Sequence, residues 1–185
     1  MKILILCDRE SLTYENIDLS SHIHKTLEKS GAKVQIIKLN GDEIKPCLGC
    51  FGCWIKSPGQ CIMKSDIANK LAMMEIQSDV LVLISKISYG GYSYDIKSFL
   101  DRSIPNISPF FEIVEGEMRH KMRYDRFPII ISIGYGNCTK EEELTFSTLA
   151  KRNALNMRPP KHFVIIMKSV DKIDETLKSL KNALK

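Results

Sequence analysis

Short runs that are apolar on successive residues, separated by helical patterns, constrain this chain more than any other feature. Val80-Leu81-Val82-Leu83-Ile84 is the clearest of them. A strand that is apolar at every position must be covered on both faces, which a parallel sheet between two helix layers provides. The spacing predicts strands over Lys2 to Cys7, Lys33 to Leu39, Asp79 to Ser85, Phe127 to Gly134 and Phe163 to Met167. Between them Ile17, Leu19, Ile23 and Leu27 recur at helical spacing until Gly31 stops the pattern. Further helices are expected through Ile67, Leu71 and Met74 with Ser65 as N-cap, and over Ile96, Phe99 and Leu100. Two more run from Lys140 to Leu155, with an acidic first turn, and through Ile173, Leu177, Leu180 and Leu184. Strand and helix therefore alternate five times in 185 residues, which predicts one α/β domain over 1–185, a doubly wound five-stranded parallel sheet. Ligands in such folds bind at the carboxyl ends of the strands, near the point where strand order reverses.

Composition narrows the class of function. With 44% apolar and 26% charged residues the chain is an ordinary globular mixture rather than a disordered or collagenous one. The net charge of +5 is spread out, with no run of five Lys/Arg, so a nucleic-acid partner is not expected. The apolar start Ile3-Leu4-Ile5-Leu6-Cys7 meets Asp8 and Arg9 and is too short for a signal peptide, so a cytoplasmic location is expected. No window approaches the ~18 apolar residues of a membrane span, and no membrane partner is expected.

In a reducing compartment clustered cysteines are ligands or redox groups more often than bridges. Four of the six cysteines, Cys47, Cys50, Cys53 and Cys61, fall inside fifteen residues as C-x2-C-x2-C-x7-C, opened by Pro46 and loosened by Gly49, Gly52 and Gly59. Such thiols can converge on one centre after a turn at Ser57-Pro58-Gly59, which suits an iron–sulfur cluster and less well zinc. The spacing is that of neither a bacterial ferredoxin nor a paired C-x2-C zinc site. The alternative is a metal-free loop of reduced thiols packing as small apolar groups. Cys7 and Cys138 stand apart, as buried singles at strand ends.

Three turns after predicted strands carry the remaining candidates. Ser85-Lys86-Ile87-Ser88-Tyr89-Gly90-Gly91-Tyr92 follows the third strand, where paired glycines let backbone amides approach a planar ligand and the tyrosines offer faces or hydroxyls. Gly134-Tyr135-Gly136 offers the same chemistry one strand over. The first turn leads into a helix N-terminus, where Arg9, Ser11, Thr13 and Asn16 could hold a phosphate, although Asp8, Glu10 and Glu15 oppose it. No nucleophile, base and acid occur together, and no catalytic side chain is assigned. His22 and His24, two apart on a helix, read as solvated surface. A second long stretch, Arg102 to Arg126, carries Glu117, His120, Arg123 and Tyr124, which suit a solvated surface, a subunit contact or a substrate loop.

With Pro46-Cys47-Leu48-Gly49-Cys50-Phe51-Gly52-Cys53 plus Cys61 and Asp66, Tyr89-Gly90-Gly91-Tyr92-Ser93, and Ile96-Lys97-Ser98-Phe99-Leu100-Asp101-Arg102 in view, the chain resembles the NAD(P)H-dependent FMN reductase group of flavodoxin-like proteins, including the iron–sulfur flavoproteins, from Met1 to about Gly136. The resemblance implies a flavodoxin-like fold, FMN at the strand ends, NADH or NADPH as electron donor and a small-molecule acceptor. It also implies a homodimer or homotetramer in which a neighbouring subunit covers the flavin. In the iron–sulfur branch the cysteines matching Cys47, Cys50, Cys53 and Cys61 hold a 4Fe-4S cluster that would exchange electrons with a ferredoxin-like partner. Two departures stand out. The first loop lacks the group's Gly-Ser-x-Arg-x-x-Gly-x-Thr pattern, and Lys86 replaces a usual proline, where it could stabilise an anionic reduced flavin. A domain that kept the fold and lost the flavin is the third alternative. Lys97, Asp101 and Arg102 are assigned to fold integrity and subunit packing.

Overall fold

The computed structural model describes residues 1–184. Five strands, β1 (Lys2–Cys7), β2 (Lys33–Lys38), β3 (Val80–Lys86), β6 (Ile129–Tyr135) and β7 (His162–Met167), form one parallel sheet in the order β2-β1-β3-β6-β7. The sheet is that of a flavodoxin-like fold, with strand order reversing between β1 and β3.

Successive residues of each central strand serve opposite faces. Val80, Val82 and Ile84 join Ile3, Ile5, Ile131 and Ile133 under helices α1 (Leu19–Glu28) and α6 (Ile173–Ala183). Leu81 and Leu83 join Leu4 and Leu6 under α3 (Ala68–Gln77), α4 (Tyr94–Arg102) and α5 (Lys140–Met157). This is why β3 reads as an unbroken apolar run: each face has its own core. The start of α5 is fixed by a capping box, Thr139 accepting from the Glu142 amide while the Glu142 side chain accepts from the Thr139 amide.

Three expectations need correction. Ser65 does not cap α3; Asp66 Oδ1 accepts from the Ala68 amide at 3.1 Å, while the Ser65 hydroxyl takes a hydrogen bond from Lys45 Nζ. The cysteine segment is not all loop, since Gly52–Ile55 forms a single helical turn, α2. The stretch 102–126 is not a loop either. It contains an antiparallel hairpin of β4 (Ile107–Val114) and β5 (Glu117–Met122), closed by Glu115 and Gly116 at φ +52° and +78°. Two successive left-handed residues match the right-handed twist of the strands they join. Cys7 is buried as expected and its thiol is pushed up to about 11 by burial, so it is inert; Cys138 is only half-buried.

Candidate functional site

The ends of β1, β3 and β6 meet around Asp8, which is 1% exposed. Its carboxylate accepts from the Ser11 amide at 3.0 Å, the Lys86 amide at 2.6 Å and the Tyr135 hydroxyl at 2.6 Å. One side chain thus ties the three turns that the sequence singles out. Burial pushes the Asp8 carboxyl up against the pull of those hydrogen bonds, and burial together with Asp8 drives the Tyr135 phenol far above its ordinary range. In the sequence Asp8 counted only against a phosphate site, because a post-strand Asp carries no signal of which amides it will bind.

The first turn is a short 3-10 helix, Arg9–Leu12. Ser11 is buried, with its hydroxyl donating to the Asp8 carbonyl at 2.7 Å. Arg9 turns to the buried Asp95, which also accepts from the Gly41 amide at 2.9 Å. Thr13 and Asn16 are exposed, and Asn16 sits at φ +66°. Glu10 pairs with Lys86, the Tyr14 ring packs tilted against Tyr135 with ring centroids 4.8 Å apart, and Glu15 accepts from the Val170 amide at 2.8 Å. At the start of α1 Asp18 takes the Ser21 amide and the Ser20 and Ser21 hydroxyls and pairs with Lys38. Burial would raise its carboxyl, but these bonds together hold it far below the usual carboxylate range.

After β3, Ser88 and Gly91 exchange both backbone hydrogen bonds, at 3.1 and 2.8 Å, across Tyr89 and Gly90. Both central residues are left-handed, at φ +49° and +75°. Gly90 is required twice over, because a Cβ there would meet Thr145 Cβ at 2.7 Å. Tyr89 is a side chain in a conformation that costs L-residues about 1–2 kcal/mol, and it is 95% exposed. Tyr92 behaves differently: it is buried on Phe146 with its hydroxyl 3.2 Å from the Ser132 hydroxyl, which makes it a core residue. Ser85 is buried and accepts from the Ser93 amide at 2.8 Å, and the Ile87 amide donates to the Tyr135 carbonyl. Gly134 lies against Phe146 and Ile87, where a Cβ would come within 2.7 Å of the ring, and Gly136 is left-handed at φ +120°.

The cysteine loop is held at its base. Arg102 and Asp66, with side chains 1% and 3% exposed, form a two-pronged ion pair at 2.7 and 3.2 Å, and Arg102 also donates to the Lys45 carbonyl at 2.7 Å. Asn69 pins the returning segment of the loop by accepting from the Cys61 amide at 2.8 Å and donating to its carbonyl at 2.9 Å. Between these anchors Cys47 and Cys50 are exposed, Cys53 is buried and Cys61 is half-buried. Burial first, and then the neighbouring Cys61, Cys47 and Cys50 thiols, push the Cys53 thiol up, so the four share one electrostatic neighbourhood. Their chemistry fits a soft metal centre. Among the described residues, however, no three Cys, His, Asp or Glu side chains are gathered closely enough to ligate an ion.

The hairpin residues divide. His120 lies between Phe111 and Trp54 of α2, with centroids 4.4 and 5.3 Å away, and its Nδ1 is 2.6 Å from the Ser108 carbonyl. Trp54 donates to the Ile107 carbonyl at 3.0 Å. Arg123 and Tyr124 lie over Gly59, close to where its Cβ would stand. These three candidates therefore dock the hairpin on the cysteine loop. Glu117 is not with them and pairs with Arg152 of α5. Sequence reasoning overlooked Trp54, Asn69 and Asp95; a lone tryptophan between cysteines was the one available signal.

No family model matches the chain. It is 32% identical over 81 residues to an iron–sulfur flavoprotein of Archaeoglobus fulgidus, a match covering 44% of this chain and 36% of that one. An iron–sulfur flavoprotein of Methanocaldococcus jannaschii is 33% identical over 79 residues, 43% of this chain and 39% of the relative. The matched region thus spans less than half the length of these curated relatives. Among solved structures, the NAD(P)H:quinone oxidoreductase of Methanothermobacter marburgensis superposes with a TM-score of 0.66 at 13% identity, covering 99% of this chain and 92% of that one. An FMN-dependent NADH-azoreductase of Bacillus anthracis, solved with FMN, gives 0.64 at 10% identity over 98% and 96% of the two chains. The chain has a flavodoxin-like fold shared with such reductases, and part of its sequence is similar to iron–sulfur flavoproteins.

Proposed function

We propose that the chain is a flavin-dependent oxidoreductase that takes electrons from NADH or NADPH and delivers them to a small-molecule acceptor, as the names of its FMN-dependent and NAD(P)H-dependent structural neighbours suggest. The observation that carries this assignment is the Tyr89 turn: an exposed aromatic ring, held in a strained backbone conformation, at the end of the central strand beside the switch point. Hydride acceptance and electron delivery are the chemistry a flavin supplies; the protein contributes position, exclusion and charge. Tyr89 would lie against the ring and the Gly90-Gly91 backbone allows close approach, while the Lys86 ammonium beside it is paired with Glu10. Anaerobic titration of the protein with flavin, followed by NADH or NADPH oxidation in the presence of a quinone, tests the assignment. A colourless chain that takes up no flavin would favour the flavin-less binding domain.

Asparagine tolerates the left-handed region better than tyrosine. Tyr89→Asn is therefore expected to stabilise the fold by about 0.5–1 kcal/mol in urea denaturation while weakening flavin affinity by about tenfold, the loss of one aromatic contact. A variant that is more stable and binds flavin unchanged would remove Tyr89 from the site.

The four thiols between the Arg102–Asp66 and Asn69 anchors, together with the named relatives, favour a second reading. Here Cys47, Cys50, Cys53 and Cys61 hold a 4Fe-4S cluster and the chain carries electrons to a ferredoxin-like protein. Iron and sulfide analysis after anaerobic purification decides it; iron-free protein with full flavin excludes the carrier. A homodimer or homotetramer accords with the exposed apolar side chains Phe110, Phe111, Ile113 and Met118 on the hairpin. No helix among the described residues is long and apolar enough to cross a membrane.

A further inference from the structure

We propose that the site binds its flavin through the ring and rejects the terminal phosphate, so that riboflavin is a better ligand than FMN. This rests on the flavin assignment above and concerns which form of flavin is taken. In a doubly wound fold the turn after β1 and the start of α1 are where an anionic phosphate would be received, on free amides, hydroxyls and a cation. In this chain most of those groups are committed elsewhere, while Thr13 and Asn16 remain exposed as neutral donors. The Ser11 amide and hydroxyl both face Asp8, Arg9 is held by Asp95, and the Ser20 and Ser21 hydroxyls are turned to Asp18. Asp18 also takes the Ser21 amide at the N-terminus of α1, so a carboxylate of the chain itself already occupies the anion position.

The local charge points the same way. Residues 8–18 carry Asp8, Glu10, Glu15 and Asp18 against the single cation Arg9. The two lysines that reach this turn are neutralised, Lys86 by Glu10 and Lys38 by Asp18. A phosphomonoester, with a charge of about −1.5 to −2 at neutral pH, would enter an acidic rim in which Arg9 and the Ser11, Ser20 and Ser21 donors are already engaged. The ring platform formed by Tyr89, Gly90 and Gly91 lies on the turn after β3 and carries no acidic side chain of its own. Ring recognition and phosphate recognition are thus uncoupled here.

The test is a fluorescence titration of the full chain with riboflavin and with FMN, each at low and high salt. Riboflavin is expected to bind at least as tightly as FMN, and added salt is expected to strengthen FMN binding while leaving riboflavin unchanged, because screening relieves repulsion only for the charged ligand. A preference for FMN of about tenfold or more would show a working phosphate cradle and overturn the proposal. Binding of neither flavin would instead defeat the flavin assignment, and the proposal with it. The double variant Glu10→Gln, Glu15→Gln keeps both acceptors and removes two charges from exposed positions. It is expected to shift the riboflavin-to-FMN affinity ratio by about tenfold towards FMN. An unchanged ratio would show that the acidic rim is not the cause.

Discussion

Arg102→Ala is expected to lower the free energy of unfolding by about 3–5 kcal/mol, the cost of leaving one member of a buried ion pair without its partner. The Arg102 guanidinium serves both Asp66 oxygens and the Lys45 carbonyl, on opposite ends of the cysteine loop, from a side chain that is 1% exposed. Burial alone would raise the Asp66 carboxyl, and the Arg102, Lys45 and Ala68 hydrogen bonds outweigh it and hold it below the ordinary range. Since a domain of this size is stable by roughly 5–15 kcal/mol, the loss would appear as a large fall in the urea midpoint. Arg102→Lys should recover only part of it, because a single ammonium cannot reproduce the planar two-pronged contact. Asp66→Asn in the Arg102→Ala background should restore some stability by removing the stranded charge. A second readout separates a clamp from a general stabiliser. If Arg102 closes the loop, Cys53 and Cys61 should react faster with a thiol reagent in folded Arg102→Ala than in the parent. Equal thiol rates and a loss below about 1 kcal/mol would show that the loop is held by other contacts.

The same residues show what a sequence can and cannot reveal. The central strands were legible because their apolar runs obey a constraint that acts at every position: both faces of β3 must meet a core, and Val80 to Ile84 satisfy it without exception. The hairpin was not legible, because alternation in β4 and β5 is carried by Phe111, Ile113, Met118 and His120 among charges of both signs, and its apolar face is exposed rather than packed in the core. The two-residue Glu115-Gly116 turn was the available cue.

In the candidate site the chemistry of the parts was legible and their pairing was not. Cys47 to Cys61, Asp66 and Arg102 all belong to recognised motifs, yet the contact between Asp66 and Arg102 spans 36 residues of sequence and depends on how α3 and α4 pack. Tyr89 and Tyr92 looked equivalent in sequence; three residues of turn geometry place one ring in solvent and the other in the core. Likewise the first loop was ambiguous in sequence, with Arg9 and hydroxyls for a phosphate and Asp8, Glu10 and Glu15 against it, and only the structure shows that Asp8 is bound to the Lys86, Ser11 and Tyr135 donors. Side-chain type survives translation from sequence to site; side-chain commitment is set by tertiary neighbours.

Glu75 gives the second large effect, and it is one of pH. It is fully buried on α3, where Asn106 Nδ2 donates to its Oε2 at 2.7 Å and its Oε1 has no partner. Burial pushes its carboxyl from 4.5 to about 7, against smaller opposing contributions from Asn106 and Ser103. A carboxyl raised in the folded state favours folding in its neutral form. Its contribution is complete below the unfolded value of 4.5 and is lost as pH rises through 7, a change of about 3 kcal/mol at 1.36 kcal/mol per unit. The parent should therefore unfold at progressively lower urea between pH 5 and pH 8. Glu75→Gln keeps the acceptor for Asn106 and cannot ionise, so it should be close to flat over the same range and exceed the parent at pH 8 by about 1–3 kcal/mol. Asp8, whose carboxyl is also raised by burial, contributes a slope of the same sign to both proteins. The difference between the two profiles isolates Glu75, and two parallel profiles would show that its carboxyl titrates as it does in the unfolded chain.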